Sequence, residues 1–183
     1  MSTILGISGS LRRDSYNTAL LHAAADLAPD GMRLEVATLH GIPVYDGDGE
    51  TERGIPEPVT ALKERVAAAD GLLLATPEYN HSLPGALKNA MDWLSRPPAD
   101  RPRVFHGRPV ALMGATPSAT GTRYAQAAWL PVLQTLGTLP WFGGALYVGH
   151  ARKVFDESGT LTDPDLRERL RGFLTGFAEF LDR

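Results

Sequence analysis

Residues 71–96 read Gly-Leu-Leu-Leu-Ala-Thr-Pro-Glu-Tyr-Asn-His-Ser-Leu-Pro-Gly-Ala-Leu-Lys-Asn-Ala-Met-Asp-Trp-Leu-Ser-Arg. The first five form a short, continuous apolar run, the pattern of a strand covered on both faces. Leu83, Leu87, Ala90, Met91 and Leu94 then recur at helical spacing. Pro84 suits a helix entry, where its missing N–H costs nothing. The polar turn 76–82 joins the two. A buried strand, a turn and an amphipathic helix make one βα unit.

Similar units flank it. Thr3–Ser8, Arg33–Thr38, Pro109–Gly114 and Ala145–Val148 are the other candidate strands. Arg33–Thr38 alternates polar and apolar residues, which suits an edge position. Leu20, Ala24 and Leu27 mark a helix, as do Val59, Leu62 and Val66. A helix over about 124–136 contains Pro131, which predicts a kink or a break. The last helix has Asp163 as N-cap, Pro164 at its first position, and an apolar stripe of Leu166, Leu170, Phe173, Phe177 and Leu181. Strands alternating with helices imply parallel pairing and right-handed crossovers. Five such units predict a single α/β domain over residues 1–183. Its expected form is a flavodoxin-like, doubly wound, five-stranded parallel sheet of order 2-1-3-4-5 in three α/β/α layers. The segment 39–58, rich in Gly, Pro and acid, reads as a long exposed loop and a candidate contact with another subunit.

Composition narrows the function. A net charge of -3 gives no reason to expect nucleic acid or an anionic membrane as partner. The absence of cysteine excludes disulfides, iron–sulfur clusters, thiolate zinc sites and cysteine nucleophiles. The five histidines have no metal-ligand spacing, so no metal is expected. No apolar run approaches the ~20 residues of a membrane span. The first residues lack a basic, cleavable leader. A cytoplasmic setting is the expectation.

In an open α/β sheet, ligands bind beyond the carboxyl ends of the strands, where the strand order reverses. Here that means the loops after the first, third and fourth strands. The first, Gly9–Asn17, offers Ser10, Ser15 and Asn17 as short hydrogen-bonding side chains, Arg12 as a guanidinium fork, and the free N–H groups of a helix start. Ser15 alone reads equally as a helix cap. The loop is neither a Walker A motif nor a dinucleotide Gly-x-Gly-x-x-Gly, and it breaks the nucleophile elbow at Ser10. A phosphate without an ATP or dinucleotide signature is implied. In the third loop, Asn80 can both donate to and accept from a ring edge, Tyr79 offers an aromatic face, and the backbone N–H of Glu78 takes precedence over its carboxylate. In the fourth loop, Thr116 and Ser118 can reach a planar ligand, although plain turn chemistry explains this loop equally well.

These blocks carry a resemblance. Gly-Ser-Leu-Arg-Arg-Asp-Ser-Tyr-Asn at 9–17 and Pro-Glu-Tyr-Asn-His-Ser-Leu-Pro-Gly-Ala-Leu-Lys-Asn-Ala-Met-Asp-Trp-Leu-Ser-Arg at 77–96 resemble the NADPH-dependent FMN reductase family, in its chromate, quinone and azo reductase branch. Weaker similarity continues at 42–46 and 155–163. The resemblance implies FMN, with NADPH or NADH as electron donor and a small-molecule acceptor. It implies that Ser10, Arg12, Ser15, Tyr16 and Asn17 hold the phosphate, that Pro77, Glu78, Tyr79 and Asn80 line the flavin ring, and that Thr116 lies near it. A homodimer or homotetramer is implied as well. The chain departs from the family at Thr116-Pro117-Ser118 and Gly121-Thr122, where Ser-Pro-Gly and Gly-Gly are usual.

The flavin then carries the chemistry, and no side chain has to act as a nucleophile. The expected reaction is a ping-pong, two-electron reduction of quinones, with azo compounds, free flavin and chromate as further acceptors. His81 reads as a substrate contact or proton donor, or equally as a surface histidine, and Ser118 as a substrate contact. Lys88 and Asp92 read as an intrahelical pair. Trp93 and Trp141 read as core or subunit contacts. Two other classes remain: a flavodoxin-like electron carrier without NAD(P)H reductase activity, and a serine hydrolase using Ser8 or Ser10.

Overall fold

The run Gly71–Ala75 forms a strand in which every residue is buried. In a computed structural model, which describes residues 1–182, it is the central member of a six-stranded parallel sheet. The strands are β1 Ser2–Ser8, β2 Met32–Ala37, β3 Gly71–Ala75, β4 Pro109–Ala115, β5 Leu139–Pro140 and β6 Leu146–Val148. The helices are α1 Tyr16–Asp26, α2 Gly47–Arg53, α3 Glu57–Ala68, α4 Gly85–Leu94, α5 Arg101–Phe105, α6 Arg123–Ala128, α7 Leu130–Leu136 and α8 Pro164–Leu181. The order is β2-β1-β3-β4-β5, with β6 also paired to β4. This is the expected doubly wound order, with β2 at the edge.

Alternation along the strands divides the core into two. Ile4, Leu73, Ala111 and Met113 face α1 and α8. Leu5, Ile7, Leu72, Leu74 and Val110 face α3, α4, α5 and α7. A strand that sends successive side chains to opposite faces must be apolar throughout when both faces are covered, which is the pattern of β3. The long C-terminal helix begins as expected. Asp163 Oδ1 accepts from Leu166 N at 2.7 Å, and Leu166, Leu170, Phe173 and Phe177 are buried. The expected break falls between α6 and α7, with Pro131 in the first turn of α7.

Three expectations need correction. The fifth position of the sheet is not one strand over 145–148. It is split, with β5 against Pro109 and Val110 and β6 against Met113–Ala115. The indole of Trp141 causes the interruption. It turns inward, with ring centroids 5.1 Å from Phe173 and 5.6 Å from Phe177. A Cβ on Gly144 would lie only 2.8 Å from that indole, so the bulge needs the glycine. The second strand also starts one residue earlier than expected, at Met32.

The third correction concerns 39–58, which is not a plain exposed loop. Asp46 caps α2 through the N–H of Asp48 at 3.1 Å. The segment is strapped along α4. Pro43 O accepts from both Trp93 Nε1 and Asn89 Nδ2 at 2.8 Å, and Tyr45 N donates to Asn89 Oδ1 at 2.8 Å. Trp93, 2% exposed, is therefore a core residue in contact with the strap. Glu50 Oε2 accepts from Tyr45 Oη at 2.9 Å and from Arg96 Nε at 2.8 Å.

The Arg96 hydrogen bond, followed by that from Tyr45, holds the Glu50 carboxyl below the usual carboxylate range. A depressed folded value means the stabilisation is present above the unfolded value of about 4.3 and is lost as pH falls through the lower folded value. Replacing Glu50 with Gln should flatten the fall in stability below about pH 4.3, measured as urea midpoints across the acid range. A wild-type slope in that variant would show that the strap is not held by this pair.

Candidate functional site

The loops after β1, β3 and β4 leave the same edge of the sheet, and the ladder continues into them. Gly9 N donates to Ala75 O at 2.8 Å, Thr76 N to Met113 O at 2.8 Å, and Thr116 N to Val148 O at 2.9 Å. At Gly9 a Cβ would stand 2.8 Å from the Pro77 ring, so glycine allows the first and third loops to touch.

Buried polar pairs lock these loops to one another. Asn17 Nδ2 donates to Ala115 O at 3.0 Å, and Asn17 Oδ1 accepts from Ala115 N at 2.9 Å. This ties the start of α1 to the end of β4. Glu78, whose side chain is 7% exposed, accepts from Tyr124 N at 2.8 Å, Ala125 N at 3.1 Å and Thr120 Oγ1 at 3.3 Å. It caps α6 across space, where the residue preceding that helix, left-handed Thr122, makes no side-chain cap of its own. Behind both, fully buried Trp129 donates from Nε1 to Thr76 Oγ1 at 3.0 Å.

Between the clamps lies a cavity of about 120 Å3, lined by Ser10, Arg12, Ser15, Tyr16, Asn17, Pro77, Glu78, Tyr79, Ala115, Thr116 and Pro117. Its donors are free at the phosphate end. Ser15 caps α1 through Thr18 N, and there is no acid in the first turn. The N–H groups of Tyr16 and Asn17 have no protein acceptor among the described residues, and neither does the Arg12 guanidinium. Orphan N–H groups, the positive end of a helix dipole and a guanidinium together suit a phosphate dianion. The Pro77–Tyr79 and Ala115–Pro117 backbones form the walls of a slot that suits a flat ring. This donor set therefore fits FMN.

A larger cleft of about 530 Å3 lies on the other side of the same loop, between α1 and residues 156–161. Four carboxylates, Asp14, Asp26, Asp156 and Glu157, line it against three arginines, Arg12, Arg13 and Arg167. The Asp156 carboxylate is satisfied by Ser158 and Thr160 within its own turn, which holds its carboxyl below the usual range. Size alone favours this cleft, but the convergence of free donors favours the smaller one.

The third loop ends in a two-residue turn. Tyr79 and Ser82 pair through both backbone hydrogen bonds, at 3.2 and 3.0 Å, while Asn80 and His81 have φ of 51° and 57°. This is a type I′ geometry, for which Asn-Gly is the favoured pair. Asn tolerates the left-handed region, but His at the second position costs on the order of 1 kcal/mol.

All the expected cofactor-binding residues except Asn80 line the cavity. Asn80, His81 and Ser118 stand outside it. Ser118 Oγ lies 3.3 Å from Thr116 Oγ1 and 3.0 Å from Thr120 Oγ1, in a chain of hydroxyls leading to Glu78. Asn17 lines the site, yet both ends of its side-chain amide pair with Ala115, which leaves its backbone N–H as the donor without a protein acceptor. The Glu78 carboxylate, subordinated to its backbone in the sequence reading, holds two loops together. Sequence reasoning did not identify Thr120, Tyr124 or Trp129 as parts of this assembly. A Tyr-Ala pair at a helix start with no local cap was the available signal for a cap from elsewhere. Lys88 and Asp92 form the expected pair, at 2.7 Å.

Replacing Glu78 with Ala strands the N–H groups of Tyr124 and Ala125 and should destabilise the protein by about 2 kcal/mol. Amide hydrogen exchange at Tyr124 and Ala125 should accelerate more than exchange in β1 or β3. Unchanged protection at these two amides would show that the carboxylate does not hold α6.

Comparison with known proteins agrees with this geometry. Residues 2–153 match the NADPH-dependent FMN reductase family. The chain is 44% identical to an NAD(P)H-dependent FMN reductase of Pseudomonas aeruginosa, over 92% of this chain and 89% of that one. It is 38% identical to a 2-hydroxy-1,4-benzoquinone reductase of a Burkholderia species, over 96% and 93% of the two chains. Among solved structures, FerB of Paracoccus denitrificans, a flavoenzyme NAD(P)H:(acceptor) oxidoreductase, superposes with a TM-score of 0.86 at 34% identity, covering 100% of this chain and 98% of that one. The chain belongs to the NADPH-dependent FMN reductase family.

Proposed function

We propose that this protein is an FMN-dependent NAD(P)H oxidoreductase that reduces quinones or similar two-electron acceptors by a ping-pong route. The observation that carries this reading is the slot itself. Free donors at the α1 N-terminus meet two backbone walls at the carboxyl edge of the sheet, with no nucleophile–base pair between them. Bound FMN supplies the redox chemistry, taking two electrons from NAD(P)H and returning them to an acceptor.

The chain's own residues bind and orient. Ser10, Arg12, Ser15 and Tyr16, with the backbone N–H of Asn17, take the phosphate. Pro77, Glu78 and Tyr79 would line the ring, Asn80 would reach it only from outside the slot, and Thr116 would close the opposite wall. His81 and Ser118 stand on the acceptor side. The acceptor class is carried by the relatives named as quinone and FMN reductases.

The slot encloses about 120 Å3, whereas ligand pockets usually enclose about 300 Å3 or more. The slot on this chain is thus smaller than a cofactor pocket usually is. Around the third loop, Tyr79 is 51% and Tyr124 52% exposed. Both facts favour a dimer or tetramer in which a second copy completes the site. No helix among the described residues is long and apolar enough to cross a membrane. A consumer of reduced nicotinamide works where that nucleotide is produced, which favours the cytoplasm.

The purified protein should carry FMN, and anaerobic mixing with NADPH or NADH should bleach it, followed by stopped-flow absorbance. A bound flavin that neither nucleotide bleaches would leave only an electron carrier, and a protein that takes up no FMN would remove both readings. Arg12→Ala should weaken FMN binding roughly tenfold or more by removing a charge-assisted phosphate bond, read by fluorescence titration. Equal affinity would place the phosphate elsewhere.

A further inference from the structure

We propose that His81 delivers the proton that the acceptor needs, and that the strained turn carrying it is kept for this purpose. The proposal rests on the oxidoreductase reading above. Net reduction of a quinone by NAD(P)H also consumes one proton: the donor supplies two electrons and one hydrogen, and the second hydrogen comes from solvent or, faster, from an acid at the site.

The backbone is the first observation. The turn between Tyr79 and Ser82 places His81 at φ 57°, the second position of a type I′ turn. Glycine fits there without strain, and histidine does not. Nothing in the turn's own hydrogen bonds uses the imidazole. Burial does not explain it either, since the side chain is 74% exposed. An unfavourable residue held in a functional loop, mostly exposed and packed on one side only, points to a role in the chemistry.

The setting of the ring is the second observation. Its edge meets Tyr124 at 4.9 Å between centroids and 82° between planes. Its Nδ1 lies 3.5 Å from Oε1 of Glu78. Glu78 itself cannot swing away, because its other contacts hold α6. The titratable groups facing His81 are thus Glu78 from its own loop and Tyr124 from α6. Nδ1 is turned toward the buried carboxylate without a hydrogen bond to it, and Nε2 has no protein partner among the described residues.

Nε2 is therefore the free acid, outside the cavity but on the loop whose Glu78 and Tyr79 line it. In the proposed step the Nε2–H bond breaks and an O–H bond forms on the acceptor oxygen, whose C=O π pair moves onto that oxygen. The two electrons and the other hydrogen come from NAD(P)H, and the imidazole regains its proton from solvent. Because the donor form is the protonated imidazole, acceptor reduction slows as pH rises.

The test uses two variants, His81→Gly and His81→Asn, both compatible with a left-handed residue and both without the acid. Apo His81→Gly should melt about 2–4 °C above wild type, because the strain is relieved. In the FMN-loaded proteins, anaerobic re-oxidation by 1,4-benzoquinone should be roughly tenfold or more slower in both variants. The wild-type decline with rising pH should also disappear in both. Two results overturn the proposal: benzoquinone rates and pH profiles equal to wild type in both variants, or a lower melting temperature for apo His81→Gly, which would make the histidine structural. Bleaching of the wild type by NAD(P)H is measured alongside. Its absence defeats the oxidoreductase reading itself and this proposal with it, whereas intact bleaching with unchanged re-oxidation defeats only the role of His81.

Discussion

The buried carboxylate of Glu78 is the contact on which the site depends. A charge taken out of water must be met by hydrogen-bond donors or it costs several kcal/mol. Here the donors are the N–H groups of Tyr124 and Ala125 and the hydroxyl of Thr120, all from the chain after β4. Meeting that requirement fixes the third loop against the fourth. Asn17 does the same for the first loop and the fourth through Ala115. Each clamp consumes donors on the protein side of a loop and leaves those on the outer side free. A site built this way is ordered before a ligand arrives, so less binding energy goes into arranging it.

The fold supplies the rest of the geometry. Parallel strands point their carboxyl ends the same way, so the three loops on either side of the reversal in strand order meet without a special device. The two cores are apolar and contain no polar cluster of catalytic character. What distinguishes this edge of the sheet is the density of free backbone N–H groups beside Arg12. The neighbouring cleft is larger, but its mixture of Asp14, Asp26 and Glu157 with Arg12, Arg13 and Arg167 gives no single charge preference. Volume is a poor guide where convergence of donors is the requirement.

Much of this was legible in the sequence, because it depends on local pattern. The continuous apolar run of β3, the alternation of β2, the cap at Asp163 and the break at Pro131 all follow from neighbours in the chain. The phosphate loop and the ring loop were legible because short polar residues and proline cluster there beside a strand end. What was not legible depends on distant partners. The α2 helix is hidden by Gly47 and Gly49, which lower helix propensity; Arg96 holds it through Glu50, and Asn89 and Trp93 hold the residues just before it. The split of the fifth strand is set by where Trp141 finds Phe173 and Phe177. Asn17 looked like a phosphate ligand because its long-range partner, Ala115, is a backbone group with no sequence signature. Glu78 looked like a backbone contributor for the same reason.

The central claim is that the loops are prearranged by their own clamps and receive a flavin with those clamps intact. A crystal structure of the FMN complex tests it most directly. The account predicts the phosphate on the N–H groups of Tyr16 and Asn17 with Arg12 beside it, the ring between the 77–80 and 115–117 segments, and Asn17 and Glu78 still bonded to Ala115 and to Tyr124 and Ala125. A phosphate bound elsewhere, or an Asn17 or Glu78 side chain released from its backbone partners to bind the flavin, would contradict it.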